Sequence, residues 1–164
     1  MLKTLLNTKM LKNQKGLTLI ELLAVIVILA IVAAIAVPAI GNIVENSKYN
    51  AAKADAVNVL NAANLYFTDE GSPDGKTVDV ETLKTNGYLD NAGLFDKVTS
   101  ASVKKVNGGN QLTGTVTYSG SKQAIFTNAT IANINADTAK GSTDGNKSIG
   151  GASAGTGTNQ NPNP

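Results

Sequence analysis

Lys15-Gly16-Leu17-Thr18-Leu19-Ile20-Glu21-Leu22-Leu23 opens a stretch that continues as AVIVILAIVAAIAVPAI to Ile40. From Leu22 to Ile40 it carries no charged or polar side chain over 19 residues. At 1.5 Å per residue such a helix covers about 29 Å, close to the roughly 30 Å hydrocarbon core of a bilayer. The run is therefore long enough to cross a membrane as a helix.

N-terminal to this run, residues 1–16 (MLKTLLNTKMLKNQKG) bear Lys3, Lys9, Lys12 and Lys15 and no acid. A lysine-rich, acid-free stretch before an apolar helix is the signature of a targeting leader. The positive-inside rule places it in the cytoplasm and the C-terminal domain outside. From Leu17 onward ten lysines face twelve acids, a net −2, so the pI near 8.8 is mostly a leader effect. A mildly acidic product lacks the basic face that nucleic-acid binding calls for. Cysteine and histidine are absent. That excludes disulfides, thiolate metal sites, Cys- or His-based nucleophile systems and a histidine pH switch. No GxSxG and no phosphate loop are present, so no enzyme activity and no cofactor are expected.

C-terminal to the run, the pattern changes period. Ala52, Ala56, Val59, Leu60, Ala63 and Phe67 recur at three- and four-residue spacing, with Asn50, Lys53, Asn58, Asn61 and Asn64 on the other face. This predicts an amphipathic helix that continues the apolar one, from Leu17 to Thr68 and about 78 Å long. Pro38 removes a backbone donor inside it, and a helix kink is expected there. The helix stops at Gly71-Ser72-Pro73-Asp74-Gly75. Asp79 then caps a short helix through about Lys84, ended by Asn86-Gly87.

Strand-like runs follow at 102–106, 112–118 and 123–128, joined by Asn107-Gly108-Gly109-Asn110 and Ser119-Gly120-Ser121. They predict a three-stranded antiparallel meander. Its apolar face, read as Val116, Tyr118 and Ile125, needs the amphipathic half of the long helix as cover. From Gly141 the chain is rich in glycine, serine, threonine and asparagine, which predicts a mobile tail. The expected fold is α+β: a long N-terminal helix packed on a small antiparallel sheet. Its parts are a leader (1–16), an apolar helix half (17–44), an amphipathic half (45–68), a loop-and-sheet head (69–140) and the tail (141–164).

The Lys15–Leu23 segment resembles the class III signal sequence of type IV pilins and type II secretion pseudopilins, and the likeness extends over roughly Lys12 to Phe67. The resemblance implies cleavage by prepilin peptidase between Gly16 and Leu17, and N-methylation of Leu17. It also implies an assembly role for Glu21, whose carboxylate pairs with the free α-amino group of Leu17 in a neighbouring subunit. Physical reasons accompany these roles: glycine leaves the peptide bond unhindered, and the lysines hold the leader at the cytoplasmic surface. An unpaired Glu21 would be expensive in hydrocarbon, about 2.5 to 3.5 kcal/mol at mid-membrane.

The implied product is a structural subunit, first a single-pass membrane protein and then part of an extracellular pilus. Its implied partners are copies of itself in a helical homopolymer, the peptidase/methyltransferase, an assembly ATPase and membrane platform protein, and minor pilins. A competence-type pilin acting in DNA uptake and a pseudopilin of a secretion system are the alternatives; the acidic mature charge disfavours DNA as a partner. A secreted soluble product cut at Ala34-Ile35-Ala36 competes with all three, but the apolar run exceeds the roughly 7 to 15 residues of a signal-peptide core. Asp69, Glu70, Asp74 and Asp79, with Asp137 and Asp144, raise the question of calcium as in major pseudopilins. They lack EF-hand spacing, and no metal site is expected. Family members often close the C-terminal region with a disulfide, which this chain cannot form.

Overall fold

The computed structural model describes residues 2–150, with side chains from Thr18 onward. The chain divides into two units, Met1–Asn42 and Ile43–Pro164. Helix α1 (Leu2–Asp69) supplies the described part of the first and the opening element of the second. It begins well before the expected start at Leu17. Residues 2–16 are mostly leucine, lysine, methionine and glutamine, all good helix formers, and no glycine precedes Gly16. The change of composition at Gly16 and Leu17 marks the start of the apolar run, and helix propensity does not follow it.

In the second unit, the spacing that predicted an amphipathic helix is matched by burial. Ala52, Ala56, Val59, Leu60, Ala63 and Phe67 are all essentially inaccessible. They join Val103, Leu112, Val116, Phe126, Ile134 and Ile149 in one core cluster, so this face of α1 is what covers the sheet. Asn50, Asn58, Asn61 and Asn64 are exposed as expected, whereas Lys53 is half-buried.

The sheet has five strands in sequence order. They are β1 (Thr77–Asp79), β2 (Ser102–Lys104), β3 (Gln111–Ser119), β4 (Lys122–Ala129) and β5 (Lys147–Gly150). The central three correspond to the expected meander and pair antiparallel, as do β1 and β2. β5 pairs parallel with β4, so the chain must cross over between them. Residues 130–146 make that crossover, with helix α3 (Ile131–Ala136) inside it.

Two readings are corrected here. The sheet's inner face takes Val116 and Tyr118 from β3 but Ala124 and Phe126 from β4, while Ile125, opposite Thr115, is only half-buried on the outer face. A strand's side chains alternate, so a register one residue off exchanges its faces. The expected tail also begins too early at Gly141: Lys147–Gly150 form β5, and Ile149 is buried in the core. A single apolar residue is too little for period-2 pattern reading, yet it fills the space beside Phe126, its Cα partner across the β4–β5 pair. Residues 151–164 lie outside the described residues.

The short helix α2 (Val80–Thr85) is capped by the Asp79 side chain, which accepts from the Thr82 amide at 2.7 Å. Between α2 and β2 a 3₁₀ turn (Gly93–Lys97) seats Phe95 in the core. Its Leu94 amide donates to the Asp55 carboxylate on α1 at 2.9 Å.

The crossover is fastened to α1 between Glu45 and Lys53. Tyr49 Oη donates to Asp137 Oδ2 at 2.8 Å, and Lys53 Nζ donates to the Asp137 carbonyl at 2.8 Å and to its carboxylate at 3.2 Å. Lys122 Nζ reaches Glu45 Oε2 at 2.9 Å and the Ser142 carbonyl at 3.1 Å. The Ser142 amide donates to Asn46 Oδ1 at 2.9 Å, and Tyr118 Oη to the Gly141 carbonyl at 3.1 Å. Gly141 presses against α1 so closely that a Cβ there would lie 2.5 Å from both the Glu45 carbonyl oxygen and Tyr49 Cβ.

Candidate processing and assembly site

The residues singled out in the sequence fall on α1. Gly16 and Leu17 are helical in backbone, but their side chains lie outside the described residues. Glu21 is exposed, one helical turn from Leu17 in sequence, the spacing that places two residues on one helix face. Pro38 lies inside α1, where its ring nitrogen has no hydrogen to give a carbonyl one turn earlier.

From Leu22 to Ile40 every residue is exposed except the half-buried Ala36. Leu22, Leu29 and Val37 expose 62%, 61% and 67% of their surface. An apolar helix bare on all sides is a membrane span or a surface awaiting a partner, because water penalises such area at about 25 cal/mol per Å². By length and composition this helix can cross a bilayer. Residues 22–40 bring no titratable group beside Glu21, so what they offer is apolar surface with one carboxylate near its N-terminal edge.

A family model described as the prokaryotic N-terminal methylation motif matches residues 11–37. The match supports a type IV pilin-like prepilin signal over this segment. Neither a curated protein nor a solved structure matches the chain. The matched stretch contains Gly16, Leu17 and Glu21 and ends one residue before Pro38, so it takes in the expected leader boundary and most of the apolar run. The motif belongs to a family of structural subunits. A prepilin signal joined to a long apolar helix and an α+β head is the pilin-like arrangement, and the helix is a candidate membrane anchor.

The acids considered as calcium ligands have protein partners of their own in several cases. Asp69 accepts from Tyr88 Oη at 2.9 Å, Asp79 caps α2, and Asp137 holds Tyr49 and Lys53. Among the described residues no three acids gather as a metal site would require. Lys105, one of the adjacent basic pair, spends its ammonium on the Ser72 carbonyl at 2.5 Å.

Sequence reasoning missed the Glu45–Lys53 fastening. Its partners are separated by 77 to 96 residues along the chain, and no short-range pattern links them. Its electrostatics are pronounced. The Lys122 hydrogen bond holds the Glu45 carboxyl below its ordinary range, and Glu45 in turn raises Lys122. Burial, and then the Asp137 carboxylate, push the Tyr49 phenol upward.

Proposed function

We propose that the chain is a structural pilin subunit, cut between Gly16 and Leu17, methylated on Leu17, held in the membrane by Leu22–Ile40 and polymerised into an extracellular filament. The peptidase/methyltransferase, an assembly ATPase and a platform protein act on it in turn, and its main partner is a further copy of itself. The reading is supported chiefly by one conjunction: the methylation motif at residues 11–37 runs directly into an apolar helix whose residues are exposed.

The physical course follows from that helix. In lipid, the run from Leu22 to Ile40 is solvated by acyl chains. Once extracted it cannot face water, and packing against copies of itself removes the same area. Repetition of one such heterologous contact builds a helical polymer. Glu21 selects where the copies meet: its carboxylate and the α-amino group of Leu17 on a neighbour neutralise each other away from water, and loss of either leaves the other charge unpaired. The turn weakened by Pro38 gives the apolar helix the local freedom to adjust during packing.

The test is Glu21→Gln in the full-length chain, expressed beside its own processing and assembly machinery. Membrane insertion and the N-terminal sequence beginning at Leu17 should be unchanged, while surface filaments imaged by electron microscopy should be lost. Filaments of normal number and length from this variant would refute the pairing. A mature N-terminus near Val37 would refute the subunit reading itself.

A further inference from the structure

The sequence contains two Asn-Gly steps, Asn86-Gly87 and Asn107-Gly108. Asn-Gly is the dipeptide in which a backbone amide most easily reaches the preceding side chain, since glycine offers no Cβ to obstruct the approach and bends freely. The two steps sit in opposite environments.

Asn86 is the C-cap of α2. The Gly87 amide donates to the Lys84 carbonyl at 3.0 Å, and the next amide, of Tyr88, donates to the Leu83 carbonyl at 2.9 Å. These bonds occupy the would-be nucleophile and hold the backbone around it. Asn107 and Gly108 are instead the two central residues of the turn closed by Gly109 N–H to the Val106 carbonyl at 3.1 Å. Both are exposed. The Gly108 amide makes no hydrogen bond among the described residues, Gly108 has φ +94°, and the space beside its Cα is open. The Asn107 side chain likewise makes no hydrogen bond among the described residues.

We infer that Asn107 is a site of spontaneous covalent modification in the folded protein, and that Asn86 is protected. The Gly108 nitrogen attacks Asn107 Cγ; an N–Cγ bond forms, the Cγ–Nδ2 bond breaks, and the Gly108 amide proton leaves with Nδ2 as ammonia. The resulting five-membered imide is opened by water at either carbonyl, giving aspartate or its β-linked isomer. No oxidant or reductant takes part. Each event adds one negative charge to the β2–β3 turn. That turn borders a hollow lined by uncharged side chains, Asn61, Asn64, Asn110 and Ile131 among them, where Asn110 Nδ2 donates to Asn64 Oδ1 at 3.4 Å. A head displayed for long periods would thus acquire charge at one defined turn.

The test incubates the full-length chain in detergent micelles at neutral pH and follows two tryptic peptides by mass spectrometry, Val106–Lys122 and Thr85–Lys97. Val106–Lys122 should gain one mass unit and split chromatographically into aspartyl and isoaspartyl forms. It should do so at least about fivefold faster than Thr85–Lys97, the ratio that ~1 kcal/mol of retained amide hydrogen bond imposes. In concentrated urea the two rates should converge, because the protection of Asn86 resides in the fold. The gain should vanish from Val106–Lys122 in Asn107→Gln, a substitution on an exposed turn. Equal rates in the folded chain, or a gain that survives Asn107→Gln, would overturn the assignment.

Discussion

Tyr49 Oη lies 2.8 Å from Asp137 Oδ2, joining the first turns of the head's helix to a crossover 88 residues later. The chain has no cysteine with which to close this region covalently. Closure instead comes from the Asp137 carboxylate, shared between the Tyr49 hydroxyl and the Lys53 ammonium, and from Lys122 bridging Glu45 to Ser142. The Tyr49 ring is itself fully buried, 5.2 Å from that of Tyr118, so the hydroxyl is aimed by packing before it bonds.

Tyr49→Phe keeps this packing and removes only the bond. It should destabilise the head by about 1 to 2 kcal/mol, near the range for hydrogen bonds to charged groups, with Asp137 retaining Lys53. Urea unfolding of the detergent-solubilised chain, followed by near-UV dichroism of the tyrosines, measures it. An unchanged midpoint would show that the bond contributes nothing to closure.

Gly141→Ala places a methyl group 2.5 Å from Tyr49 Cβ and the Glu45 carbonyl oxygen, atoms that belong to the helix and have little room to yield. The expected loss is about 1 to 3 kcal/mol, as for an overpacked core, although only one carbon is added. The same unfolding measurement reads it, and a neutral result would mean that the crossover is free to lift from α1.

Phe67, at the C-terminal end of the buried stripe, is 1% exposed. Phe67→Ala should cost about 3 to 5 kcal/mol through lost burial and the cavity left behind. Melting of the tyrosine signal should move sharply downward in this variant, and a small shift would indicate that the sheet can close over the gap.

The pH dependence of head stability follows from the shifted groups. Glu45 is held below its ordinary 4.5 by Lys122, so its contribution is complete above that value and is lost as pH falls through the lower folded one. Lys122 is raised above 10.5 by Glu45, so its contribution is complete below that value and is lost as pH rises through the folded one. Tyr49 and Tyr118 are raised above 10.0 chiefly by burial; on the alkaline side their unfolded forms ionise first and draw the equilibrium toward unfolding. The melting temperature should therefore be level from roughly pH 5 to 9.5 and fall on both sides. In Tyr49→Phe the alkaline fall should be shallower. A fall of equal steepness would exclude Tyr49 as a source of it.

Much of this architecture could be read directly from residue order. Composition and length mark Leu22–Ile40 as apolar enough to span a bilayer, and the three- and four-residue spacing from Ala52 to Phe67 marks the buried stripe. Both are local properties, repeated every turn, so neighbouring residues suffice to state them. The prepilin motif at Gly16, Leu17 and Glu21 is local in the same sense.

Folding in three dimensions settled what depends on residues far apart in the chain. Which face of β4 turns inward was decided by its register with β3 and by the extra residue near Asn128, whose φ of 50° marks the irregularity. Whether Ser148 and Ile149 belonged to a tail or to a strand was decided by the vacant position beside Phe126. The grip of Tyr49 and Lys53 on Asp137 was likewise decided by the crossover's path, because a bond between distant residues leaves no periodic trace in either of them.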